Sequence, residues 1–199
     1  EGDQDANNYS SVDVYGEQIV SAMLKVNNAT VLYKPHPKVI TSAMPQIAKA
    51  HKTIMEIIDS ANQKDSNANH KLVAGDPMPV LQVADLLVSD VSAVTIDYLY
   101  LKPNGSLMMC DRRSNSKEFA IVAPISKAVT VINKDNLDNI SNLIADHISG
   151  NSDRSSYDSM RNYYFGDTKP GASISRFISM VDDLIKRRDN RVSQLPTSN

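Results

Sequence analysis

Five short apolar, partly β-branched runs alternate along this 199-residue chain with stretches of helical periodicity. None of the five shows the strict in–out alternation of a half-solvated strand. Continuous apolar strands separated by helices favour a parallel sheet covered on both faces. No Gly-rich dinucleotide fingerprint and no P-loop interrupts the pattern, and with 7 glycines either would stand out. The predicted fold class is therefore α/β: a Rossmann-like three-layer αβα domain around one parallel sheet of five strands.

The elements follow in order. Residues 1–12 are rich in Asp, Asn and Ser and form a polar lead-in with no apolar anchor. Tyr15, Ile19, Val20, Met23 and Leu24 then fall at helical spacing, with Asp13 as the expected cap. Residues 29–34 are a strand that Pro35-His36-Pro37 stops, which puts His36 in a loop just past a strand end. A helix over about 44–62 carries Ile47, Ala48, His51, Ile54, Met55 and Ile58 on one face. Residues 70–74 make a second strand, 79–84 a short helix and 85–90 a third strand with a polar end. A helix over 92–101 breaks at Lys102-Pro103-Asn104-Gly105, and the strand 106–110 ends at Asp111. Residues 128–132 are the fifth strand, followed by a helix over 135–149 with Leu137, Ile140, Leu143, Ile144 and Ile148 inward. Two more helices are expected at 152–163 and 173–188, separated by a break over 166–171. The division read from this pattern is a lead-in, 1–12, one domain, 13–188, and a polar tail, 189–199, expected to fray.

Composition narrows the function. Lys plus Arg number 21 and Asp plus Glu 23, a net charge of −2, so a uniformly basic nucleic-acid binder is not expected. One cysteine, Cys110, leaves no internal disulfide, and the four histidines do not fall at zinc-ligand spacing, so neither a metal nor another cofactor is expected. No run reaches the roughly 18 apolar residues of a membrane span. The acidic start is unlike a secretory or transit peptide. With no initial Met, the chain reads as a fragment or a processed form.

In an open parallel sheet, ligands bind beyond the carboxyl ends of the strands, where helix N-termini also point. Three polar segments follow strand ends: Lys34-Pro35-His36-Pro37-Lys38, Ser89-Asp90-Val91-Ser92-Ala93 and Asp111-Arg112-Arg113. Cations at Lys34, Lys38 and His36 facing the helix N-terminus at Ser92 and Ala93 suit a phosphate or pyrophosphate. An imidazole also suits acid–base work near neutrality, although His36 reads equally as a turn residue fixed between two prolines. Asp90 either orients Ser92 or a ribose, or caps the helix that begins there. Asp97 reaches a ribose hydroxyl or is simply solvated. Arg112 clamps a phosphate or is a solvated loop charge.

The same residues carry a resemblance. Tyr33-Lys34-Pro35-His36-Pro37 resembles the Arg-x-His-Pro motif of the CDP-glycerol glycerophosphotransferases, the teichoic acid polymerase and primase family. Residues 84–94, with Asp85, Ser89, Asp90 and Ser92, resemble that family's aDvLiTDYSSv signature, and Ile96-Asp97-Tyr98 with Lys102-Pro103 its continuation. The similarity runs over roughly 30–186. Lys34 stands where Arg is usual, and Val91 and Ala93 replace the signature's Tyr and second Ser.

The resemblance implies the C-terminal, donor-binding half of a GT-B fold, with the family's first strand lying just before Glu1 and the N-terminal half, which carries the other essential histidine, supplied elsewhere in the same protein. It implies His36 as the catalytic residue and Lys34, Lys38, Asp90, Ser92, Ala93, Asp97 and Arg112 as donor or phosphate contacts. The expected partners are CDP-glycerol or a similar nucleotide donor and a teichoic-acid-like or capsular polymer acceptor. The expected place is the cytoplasm, peripheral at the inner face of a bacterial cell membrane. The chain on its own is expected to be inactive. Two other readings remain open: a nucleotide-sugar glycosyltransferase or 2-epimerase-like domain, and a non-catalytic nucleotide-binding module.

Overall fold

The computed structural model describes residues 10–166 and 171–194. The chain falls into two compact units, residues 1–160 and 161–199. The expected domain, 13–188, runs across that division, and most of the expected lead-in and tail, 1–9 and 195–199, lies outside the described residues.

In the first unit the order is α1 (Gly16–Met23), β1 (Leu32–Tyr33), α2 (Pro37–Ile40), α3 (Pro45–Lys64), β2 (Lys71–Leu72), α4 (Met78–Val83), β3 (Leu86–Ser89), α5 (Ala93–Leu101), β4 (Ser106–Cys110), α6 (Ser116–Val122), β5 (Thr130–Ile132) and α7 (Ile140–Ile148). Short 3₁₀ turns at Pro124–Lys127 and Leu137–Asn139 flank β5. Helix α8 (Tyr157–Phe165) crosses the division. Helix α9 (Ala172–Ser193) belongs to the second unit and continues past Arg188, where fraying was expected.

All five expected strands form, and every pairing between them is parallel. The architecture is mixed α/β with parallel sheets, as in a Rossmann-like GT-B-type fold. The expected single sheet, however, is two ladders, β1–β2 and β3–β4–β5. Periodicity identifies a strand and burial suggests its company, but neither says which strands hydrogen-bond. Three short elements, α2, α6 and the turn before β5, were not expected, because each is too short to show a period.

The core is built around β4 and α1. All five residues of β4 are buried, and Leu107, Met108 and Met109 are fully so. Tyr15 and, from α1, Ile19 and Ala22 pack with Met108, Cys110, Ile132, Ile140 and Ile144, whereas Val20 on another face of α1 packs on Ile54 and Ile58 of α3. α1 and α3 approach closely at Gly16, where a Cβ would meet Ile54 Cδ1 at 2.9 Å and push that side chain aside. Tyr157 ties α8 to the sheet, its hydroxyl accepting from the Leu107 amide at 3.0 Å.

Two helix-face residues differ from expectation. Asp13 does not cap α1, whose N-cap is Tyr15 with no side-chain bond. His147, an ordinary amphipathic position by sequence, is buried, with Nε2 2.8 Å from Thr130 Oγ1 and Nδ1 unpartnered. Burial, with Arg154 adding, holds its pKa below the ordinary value of 6.5. Below about pH 6.5 the unfolded chain therefore takes up a proton that the folded one refuses, and stability falls with pH through that window. The expected result is a melting temperature that drops between pH 7.5 and pH 5.5, and drops less in His147→Gln. Equal pH slopes for parent and variant in thermal melts would contradict this.

Candidate functional site

The loop after β1 ends the strand because Pro35 and Pro37 each lack a donor and fix φ. Pro35 is buried, Lys34 half-buried, and His36 and Lys38 exposed. His36 has extended backbone and is the N-cap of α2, its Nδ1 accepting from the Lys38 N–H at 3.1 Å. An accepting Nδ1 places the proton of the neutral ring on Nε2. His36 is thus held by its own loop in the tautomer that offers Nε2–H to a ligand.

β3 leads through Asp90 and Val91 into α5. Ser92 is the N-cap there, its Oγ accepting from the Val94 N–H at 3.3 Å and its carbonyl from Thr95 Oγ1 at 2.6 Å. Ala93, exposed, opens the helix and so has no intrahelical acceptor for its N–H. Asp97 is half-buried one turn further on.

Two of the expected donor contacts already have protein partners. Asp90 Oδ1 accepts from the Ser11 N–H at 3.1 Å and from Ser11 Oγ. Arg112 lays its guanidinium fork on Asp13, with Nη2 3.1 Å from Oδ2, and also donates to the Ser10 carbonyl at 3.0 Å. The Tyr15 hydroxyl donates to the Asp111 carbonyl at 3.2 Å. Residues 10–15 therefore lie across the ends of β3 and β4, where an unanchored lead-in was expected over the first of them.

Burial pushes the Asp90 carboxyl above the ordinary carboxylate range, against the downward pull of Ser11 and Arg112. Its charge is felt on both sides. The Tyr33 hydroxyl is pushed up to about 12 by burial and by Asp90, and so is the Cys110 thiol. β3 and β4 are parallel neighbours, so Asp90 and Arg112 follow strand ends on the same edge of that ladder, and Tyr33, which ends β1 in the other ladder, feels the charge of Asp90.

Two residues not expected to contact the donor adjoin these strand ends. His51 on α3 places Nδ1 3.2 Å from Tyr33 Oη, so it supports β1 next to the His36 loop. Asp111, buried, takes the Arg113 N–H on Oδ1 at 3.1 Å, while Oδ2 has no partner. Beside it is a cavity of about 10 Å³ lined by Cys110, Asp111, Arg113 and Phe119 among others, room for about one water. Ser11 and Asp13 meet partners 79 and 99 residues away, a separation at which no local pattern in the sequence could have marked them.

Residues 3–111 match the family model of the CDP-Glycerol:Poly(glycerophosphate) glycerophosphotransferases. The chain belongs to this family. The match takes in residues 10–15, the His36 loop and the Asp90–Asp97 stretch. No curated protein and no solved structure matches the chain. As a glycerophosphotransferase-family chain it is associated with CDP-linked donors and cell-wall-type polymers. No helix among the described residues is long and apolar enough to cross a membrane.

Proposed function

We propose that this chain is the C-terminal, donor-binding half of a glycerophosphotransferase that moves glycerophosphate, or a related polyol phosphate, from a CDP-linked donor to a teichoic-acid-like or capsular polymer. The observation that carries the reading is the edge itself: a histidine locked as an Nε2–H donor after β1, and the open N-terminus of α5 after β3, in a chain of this family. In the transfer, the acceptor hydroxyl oxygen forms a bond to the glycerol-bearing phosphorus, the bond to the CMP oxygen breaks, and the hydroxyl proton is released to solvent. The Nε2–H of His36 stabilises the charge that develops on the departing CMP, while Ser92 and the Ala93 N–H hold the phosphates with the helix dipole behind them. Lys34 and Lys38 add positive charge, and Asp97 orients the ribose. Arg112 acts from one step behind, through Asp13, while Asp90 is engaged by Ser11 and not by the donor.

The split sheet supports the place of this chain in a larger one. A doubly wound sheet has the strand order 3-2-1-4-5-6. Without its first strand it would leave a pair and a triple, which is the arrangement of β1–β2 and β3–β4–β5. A strand from polypeptide preceding residue 1 would complete it, and the donor-binding domain is taken as 13–188. The polymer acceptor would lie against the N-terminal half, so the 199-residue chain alone is expected to bind donor without turning it over. A peripheral place at the inner face of a bacterial membrane is supported by α9, which exposes Ile174, Phe177, Ile178 and Leu184 beside Lys186, Arg187 and Arg188.

Titration calorimetry tests the reading. CDP-glycerol is expected to bind more tightly than CMP, which has one phosphate fewer, and more tightly than UDP or UDP-sugars. Preference for a UDP-sugar would instead favour a glycosyltransferase or epimerase, and no binding by any of them would overturn a donor site.

A further inference from the structure

We infer that Ser11 is a positioning residue for the phosphate site at the head of α5, and that it acts by holding the Asp90 carboxylate away from that helix N-terminus. The inference rests on the donor-binding reading for its ligand but not for its geometry. Asp90 stands two residues before Ser92, within the turn that enters α5. A carboxylate so placed is the natural competitor of a phosphate, because a helix N-terminus accepts either anion. Ser92 Oγ already serves the Val94 N–H at 3.3 Å, whereas the Ala93 N–H is left without an intrahelical acceptor.

What keeps Asp90 from capping the helix is Ser11. It is buried, and it gives Asp90 Oδ1 both its N–H and its hydroxyl. Ser11 is itself fixed from both sides: Arg112 binds the Ser10 carbonyl and forks on Asp13, and Tyr15 reaches the Asp111 carbonyl. The other groups facing Asp90 are Tyr33 on β1 and Cys110 on β4, both held protonated by burial, Asp13, whose like charge opposes it, and Arg112, its counter-charge. Remove the Ser11 hydroxyl, and a poorly solvated carboxylate loses one of its two bonds three residues before the Ala93 N–H, which has no intrahelical acceptor. It turns to the Ala93 N–H and occupies the phosphate site.

The test compares the parent chain with Ser11→Ala, Ser11→Thr and the double variant Ser11→Ala/Asp90→Asn in calorimetry with CDP-glycerol. Ser11→Ala is expected to bind about tenfold more weakly, and Ser11→Thr to keep parental affinity. The double variant recovers binding because the competing charge is gone. A merely structural role would give no rescue by Asp90→Asn. Amide exchange in the ligand-free chain reads the same event independently: Ala93 exchanges more slowly in Ser11→Ala and returns to the parental rate in the double variant. Failure of the parent to bind CDP-glycerol would sink the donor reading alone, with the clasp then decided by exchange. Unaltered Ala93 exchange in Ser11→Ala, or weakened binding that Asp90→Asn does not restore, would overturn the clasp.

Discussion

His36→Ala is expected to weaken CDP-glycerol binding by about ten- to a hundredfold, the loss of one hydrogen bond to a charged group at roughly 1.5–3 kcal/mol. The local cost is small, because His36 is exposed and α2, which it caps, is a single turn. An exposed N-cap is worth about 1 kcal/mol at most sites, and that loss bears on the loop and not on the core. Binding and stability should therefore separate: a large change in affinity, a small one in melting temperature. His36→Asn sharpens the point. Its side-chain oxygen can still accept from the Lys38 N–H, but it cannot present a donor at the place of Nε2. Stability should recover while affinity stays low. The affinity for CMP, with one phosphate, should respond less than that for CDP-glycerol. His51 is not an inert comparison, since it bonds Tyr33 two residues before Pro35; exposed Gln46 on α3 is a better one. Parental affinity in both His36 variants would leave His36 as a turn residue.

The sequence was most legible where physics is local. β1 ends where two prolines must end it, and Ser92 caps α5 because a hydroxyl before an apolar helix does so. The five strands were legible as apolar runs, and the parallel sense followed from the helices between them. What was not legible depends on contacts far apart in the chain. Whether β2 pairs with β1 or with β3 is decided by hydrogen bonds between runs of nearly equal composition. Asp13 read as a cap because it precedes a helix, but a guanidinium arriving from residue 112 offers a charged partner where the helix offers only dipoles. His147 read as a surface histidine because a helical period places a residue on a face without saying how deeply that face is covered. The three loops after strand ends were thus legible, and the contacts of Ser11 and Asp13 with two of them were not.

That wiring carries the largest stability effect expected here. Arg112 and Asp13 are 12% and 8% exposed at their side chains, and the fork contact uses both carboxylate oxygens. Removing one member of so enclosed a pair leaves the other charged and poorly solvated, at a cost of about 3–5 kcal/mol. For a chain of this size that is a fall of roughly 6–20 °C in melting temperature. Arg112→Ala and Asp13→Ala should each show it. Arg112→Lys should fall between, because an ammonium keeps the charge and loses the fork. The double variant Asp13→Leu/Arg112→Met is the discriminating one. If the single losses come from stranded charge, the double should recover most of them, since two apolar side chains strand nothing. If they come from lost packing of residues 10–13, the double should be no better than the worse single. Single variants within about 1 kcal/mol of the parent would mean that the pair is solvated like an ordinary surface bridge. The ends of β3 and β4 would then be held by Ser11 and Tyr15.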